Sequence, residues 1–154
     1  MLMARWGINA TKGAANVQSV FVAQAAAAAS RRAKFYDISF GCNAAPADNT
    51  FLHVLQRVSA SGGLAGAALT PNSLDPADTL ASTIVVTATV TVDATITANA
   101  FLYSIPLNQR ATFRWVAAPY GELIIPATAN VGFMAGLSAA SATTFAYGGC
   151  YEEY

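Results

Sequence analysis

Residues 108–132 read NQRATFRWVAAPYGELIIPATANVG. Phe113, Trp115 and Ala117 alternate with Thr112, Arg114 and Val116, the period-2 pattern of a half-buried strand. Ala118-Pro119-Tyr120-Gly121 supplies a turn, with Pro fixing φ at one corner and Gly expected to take the awkward backbone position. Leu123-Ile124-Ile125 follows and is closed by Pro126. A proline there marks a strand end or a sheet edge, because it cannot donate to a ladder. The stretch thus predicts strand, turn, strand, turn, and the chain is expected to be organised around it. None of its residues has an evident chemical task.

The strongest strand signal lies upstream, in residues 83–93 (TIVVTATVTVD). Ile84, Val86, Ala88, Val90 and Val92 share one face; Thr83, Thr87, Thr89, Thr91 and Asp93 share the other, with Val85 the one apolar exception. Threonine favours strands and is polar, so one face is expected to be buried and the other wet or in an interface. Residues 17–24, 34–43, 51–60, 100–105, 131–137 and 143–151 also read as strands. In the first of these Val20 and Val22 share a face, in the second Tyr36, Ile38 and Phe40, and in the third Leu52, Val54 and Val58 oppose His53 and Arg57. Residues 61–81 read as a long connection, of a kind that usually acts on or covers something. The run Ala25 to Ala29 is too short for an isolated helix. Eight or more short strands with regular turn signals and no amphipathic helix predict an all-β fold, an antiparallel sandwich of jelly-roll type. Residues 17–154 are expected to form this single domain, and residues 1–16 an extended N-terminal arm.

With 154 residues the chain suits one domain, large enough for a full core. Charged residues make up only 10% and the formal net charge is zero, against about 25% charged in ordinary soluble domains. So few charges protect a free monomer poorly against association, so much of the surface is expected to be covered by other subunits. No apolar run reaches the ~18 residues needed to span a bilayer, and balanced charge argues against nucleic acid as a partner. Arg5 and Lys12 precede an apolar stretch and an alanine run with an A-x-A-like end. Gln24 interrupts it and leucine is missing, so a cleaved secretory signal is not expected.

Sites with chemistry are sparse. The single histidine, His53, is read on the polar side of its strand, as a surface or interface residue, with no nucleophile motif to serve. Asn72, Asp75 and Asp78 are weak candidates for Ca²⁺ ligands, but Asp before Pro is ordinary turn chemistry. No metal, cofactor, small-molecule substrate or enzymatic activity is expected. Cys42 and Cys150 are read as buried thiols, with a disulfide pinning the last strand as the minority alternative. Arg31, Arg32 and Lys34 form the one basic cluster, read as a solvated turn or as a patch facing an acidic neighbour. Trp115 shares a face with Phe113 and is expected in the core. Arg5, Trp6 and Tyr120 complete the expected interface residues. Trp6, in the arm, is the anchor that would grip a neighbouring subunit.

Residues 69–78 (LTPNSLDPAD) followed by Ala81-Ser82, residues 114–128 (RWVAAPYGELIIPAT) and residues 30–38 (SRRAKFYDI) together resemble small jelly-roll virion proteins of tailed bacteriophages. The resemblance covers roughly residues 17–154 and contains no catalytic signature. It implies a capsid decoration (cement) protein, a homotrimer bound to the outer surface of the major capsid protein shell after synthesis in the host cytoplasm. The alternative it leaves is a tail- or fibre-associated structural module that binds a receptor glycan.

Overall fold

The computed structural model describes residues 4–12, 15–78 and 80–154. Among them it contains strands and turns and no helix. Two antiparallel six-stranded sheets pack face to face as a sandwich. In sheet A, β3 (Ala33–Cys42) pairs with β12 (Phe145–Glu153), which pairs with β1 (Ala4–Thr11), which pairs with the short edge strand β6 (Asn72–Ser73). The other side of β3 is covered end to end by β9 (Phe113–Val116) and β10 (Leu123–Ile125). Sheet B runs β5 (Ala65–Leu69), β7 (Ile84–Val92), β2 (Ser19–Ala25), β11 (Gly132–Leu137), β4 (Thr50–Ala60), β8 (Thr95–Asn108). The pairings are nested: β1 lies beside β12, β2 beside β11, β3 beside β9 and β10, and β4 beside β8. The β5–β7 segment is inserted between β4 and β8 and extends both sheets at one edge.

This arrangement corrects the expected arm. Ala4, Trp6, Ile8 and Ala10 are buried, and residues 4–11 pair along their whole length with β12. The chain exposes 7342 Å², close to the ~7,350 Å² expected for a compact protein of this mass. The 108–132 stretch, expected at the centre, lies at the outer edge of sheet A. The long connection at 61–81 holds two edge strands, β5 and β6.

The main core lies between the sheets and is built on Phe21, Phe35, Phe133, Phe145, Tyr147 and Tyr151. Phe35 stacks on Tyr151 at 4.6 Å and meets Phe133 edge-on at 4.9 Å. Burial of each such ring contributes roughly 1.5–3 kcal/mol, and the edge-on geometry adds to it. A β-bulge puts Tyr36 out of register between the Cys150–Asp37 and Tyr151–Phe35 pairs. It shifts the phase of β3, so Phe35, Ile38 and Phe40 point inward together. The simple alternation read from the sequence placed Phe35 on the opposite face.

A second cluster, Val17, Val22, Val54, Val58, Val90, Ala94 and Met134, lies on the other face of sheet B. Thr89, with φ 48°, kinks β7. Before the kink Ile84, Val86 and Ala88 face the main core; after it Val90 joins the second cluster, and Val92 is exposed. The central strands β2 and β11 are therefore buried on both faces. The packing there leaves no space for side chains at two glycines. A Cβ at Gly132 would lie 1.9 Å from the Ala23 carbonyl oxygen, and one at Gly136 2.2 Å from that of Gln18. Gly132→Ala is expected to destabilise the fold by about 3 kcal/mol through overpacking, measured as a lowered urea midpoint. A loss below about 0.5 kcal/mol would contradict this packing.

Candidate interaction surface

The sandwich has two dissimilar lateral edges. At the first, residues 117–122 loop out between β9 and β10. The Gly121 N–H donates to the Ala118 carbonyl at 2.8 Å, closing a four-residue turn. Its left-handed residue is Tyr120, φ 66°, and not Gly121 as the sequence suggested. A tyrosine in that region costs on the order of 1–3 kcal/mol, and its ring is 100% exposed. Val116, Ala118 and Pro119 beside it are exposed too. The result is a convex apolar protrusion whose strain is not offset by contacts within the chain.

At the opposite edge, where β6 ends sheet A and β5 ends sheet B, a cleft of about 330 Å³ opens. Trp6, Leu69, Pro71, Leu80 and Val85 line it, together with Ser82. Leu80 and Val85 are also exposed, so they form its rim. Trp6 is only 5% exposed, and its indole Nε1 is buried without a hydrogen-bond partner. Such an orphaned donor is uncommon and costs roughly 1–3 kcal/mol. Trp6 is thus a wall of this cleft and no exposed anchor. The alternation Ala4, Trp6, Ile8, Ala10 was the signal of its strand, masked by Gly7 and Asn9 on the other face.

The outer face of sheet A carries a polar trough. Gly7 and Gly148 form its floor and Asn9, Ser39, Asp37 and Arg114 its sides, in two adjoining hollows of about 400 and 530 Å³. Arg114 and Asp37 form an ion pair with two further hydrogen bonds from Nε at 3.0 and 3.1 Å. Cys150 also lines the trough. Burial and the nearby Asp37 push its thiol pKa up, so it stays protonated and is no activated nucleophile.

The remaining expected site residues scatter. Arg31 pairs within the chain with the buried Glu153 at 3.1 Å. Arg32 is exposed, and Lys34 places its Nζ over the Tyr154 ring at 4.5 Å. Arg5 is exposed on β1 in register with Glu152. Asp75 and Asp78 accept hydrogen bonds from the N–H groups of Ala77 and Leu80, at 2.9 and 3.0 Å. These carboxylates shape turns, while Asn72 lines the trough. Among the described residues no group of three or more His, Cys, Asp or Glu is gathered. Cys42 and Cys150 are free thiols. Cys42 sits opposite Phe145, five residues from Cys150 along β12, a span of about 17 Å that no disulfide bridges. Trp115 is half-buried against the main core.

His53, read from sequence as a surface residue, is 3% exposed. Its ring stacks on Phe40 at 4.6 Å and meets Phe145 edge-on at 5.0 Å. Tyr147 donates its hydroxyl proton to the Gly136 carbonyl at 2.9 Å. The 2.5 Å contact from His53 Nδ1 to the same oxygen must therefore carry the proton on Nδ1, since a phenol has only one to give. Burial lowers the His53 pKa to about 4. A neutral histidine bonded to a tyrosine, with no carboxylate to orient it, is a core element.

Fold and surface together define a small all-β sandwich with a strained apolar protrusion on one edge and an apolar cleft on the other. Set against known proteins, the chain matches no family model, no curated protein and no solved structure.

Proposed function

We propose that this chain is a structural protein of a tailed-bacteriophage virion, a capsid decoration protein that binds the outer surface of the major capsid protein shell as a homotrimer. The observation that carries this reading is the pair of exposed apolar patches at the two edges of a chain with only 10% charged residues. Such a surface is protected against indiscriminate association only when most of it is covered. The nested strand order supports a jelly-roll reading, an architecture frequent in viral shells. Function here is burial of area: a stable contact covers ~1,200–2,000 Å², and a small sandwich repeated about a symmetry axis clamps several shell subunits together. Because β1 belongs to the sandwich, the gripping surfaces are the edges and loops rather than an arm. Counting this chain in purified particles by quantitative mass spectrometry tests the reading. Hundreds of copies per particle are expected, and a handful would assign it to the tail.

The polar trough favours a second reading, a glycan-binding module on a tail or fibre. Glycine floors let a flat sugar approach the backbone, and the Arg114–Asp37 pair offers a donor beside an acceptor for adjacent hydroxyls. Specific binding on a glycan array, lost in Arg114→Ala, would favour this second reading over decoration.

A further inference from the structure

We propose that copies of this chain dock head to tail, the Tyr120 turn of one copy seating in the Trp6 cleft of the next. This rests on the reading of the chain as a repeated virion subunit and adds the contact that repeats it.

The first argument is Tyr120 itself. Position three of its turn demands a positive φ, which glycine or asparagine adopts with little strain. The next residue is a glycine, yet the left-handed position holds a tyrosine whose ring touches solvent on all sides. Backbone strain that nothing inside the chain offsets points to a task outside it. Tyrosine is among the residues that dominate binding energy at interfaces, pairing a large apolar area with a polar tip.

The second is the cleft. Its lining carries no ionised side chain, so seating an aromatic ring there desolvates no charge. Trp6, which forms its wall, has a buried indole N–H without an acceptor. A phenol oxygen is an acceptor of the kind missing there. In the single chain that N–H is shut off from water, so a ring reaches it only as cleft side chains such as Leu80 and Val85 turn aside. Both are exposed, and exposed side chains change rotamer within nanoseconds.

The third is placement. The protrusion lies on the β9–β10 edge of sheet A and the cleft on the β6 edge, with β3, β12 and β1 between. Four strand spacings separate them, about 19 Å. Unlike patches on opposite flanks of one body make a heterologous contact, which closes into a ring if the rotation per step allows. A twofold dimer would instead need one self-complementary patch.

The test is the mass of the intact protein in solution by light scattering. The wild type is expected to form a closed multimer. Tyr120→Gly keeps the turn, because glycine suits its φ, and removes the knob; Leu80→Lys places a charge on the exposed rim and blocks the hole. Each is expected to weaken self-association by about thirtyfold or more and to run as a single chain with unchanged circular dichroism. Mixed in equal amounts, the two variants share one good knob and one good hole and are expected to give a two-chain species. A wild type that stays a single chain well above micromolar concentration overturns the proposal. So does a multimer that survives Tyr120→Gly, or a mixture that yields no two-chain species. None of these results touches the virion reading, which falls on copy number per particle.

Discussion

Glu153→Ala lowers the unfolding free energy by about 3–5 kcal/mol, the loss expected when one partner of a buried ion pair is removed. Glu153 is 0% exposed. It lies on β12 in sheet A, and its carboxylate reaches the residues that lead into β7 of sheet B. It accepts from Ser82 Oγ at 2.5 Å, from the Thr83 N–H at 3.0 Å and from Thr83 Oγ1 at 2.9 Å, and pairs with Arg31 at 3.1 Å. Tyr151 and Ser82 extend the network through a 2.7 Å hydroxyl contact, and Arg31 also donates to the Ala81 carbonyl. The carboxylate therefore laces the two sheets together at one end. Removing it leaves the Thr83 N–H without its acceptor and takes the charge partner from Arg31, which keeps only the Ala81 carbonyl, and the buried unpaired group costs its desolvation. Glu153→Gln keeps an acceptor but loses the charge, so a smaller cost of about 1–2 kcal/mol is expected. Urea unfolding at neutral pH measures both. With domains of this size stable by only ~5–15 kcal/mol, a loss under about 1 kcal/mol for the alanine variant would mean that the network is dispensable.

Acid weakens the fold through His53. In the unfolded chain this imidazole titrates near its ordinary value of 6.5, whereas burial in the native state lowers its pKa to about 4. Between those values the unfolded state binds more protons, so stability falls as pH drops from about 6.5 and the loss is complete below about 4. The interval corresponds to about 3 kcal/mol. Above 6.5 both states are neutral and this contribution is fully present. Because the chain has one histidine, its ring proton resonance reports the native pKa without ambiguity. A midpoint near 6.5 in the folded protein would refute the account. His53→Phe, stacked on Phe40 in the same way, is expected to remove this part of the pH dependence while the carboxylates keep theirs.

Much of the architecture was legible in the sequence. The β7 alternation is carried by Ile84, Val86 and Ala88, apolar on one side and threonine-rich on the other, and the structure buries that side. What local pattern could not convey is where backbone irregularity changes the face. The bulge at Tyr36 and the kink at Thr89 each reassign the residues beyond them, and both arise from pairing with distant strands. β8 continues through Pro106, where a strand end was expected. The Leu52 carbonyl opposite accepts from Ser138 on the far side, so Leu52 and Pro106 are a pair without mutual hydrogen bonds. The proline nitrogen therefore faces the open edge, where no donor is needed. β5 was missed because Ala65-Gly66-Ala67-Ala68 is poor in strand-favouring side chains. Of the candidate site, Tyr120 was identifiable as an exposed aromatic in a turn, and Trp6 as a residue of interest. Their relation was not legible, because it depends on β1 and the β9–β10 edge lying on opposite sides of β12 and β3.

β1 finds a sheet partner along its whole length only in β12. β1 and β3 both pair with β12, so sheet A lacks its middle until residue 153 has been synthesised. Half of the sandwich must wait for β12, and its closure is a long-range event of the kind that makes β proteins slow to fold. A product that stops at residue 144 would lack β12 entirely and present two bare strand edges. Quality control on such fragments would fall to the chaperones and proteases of the cell that makes them.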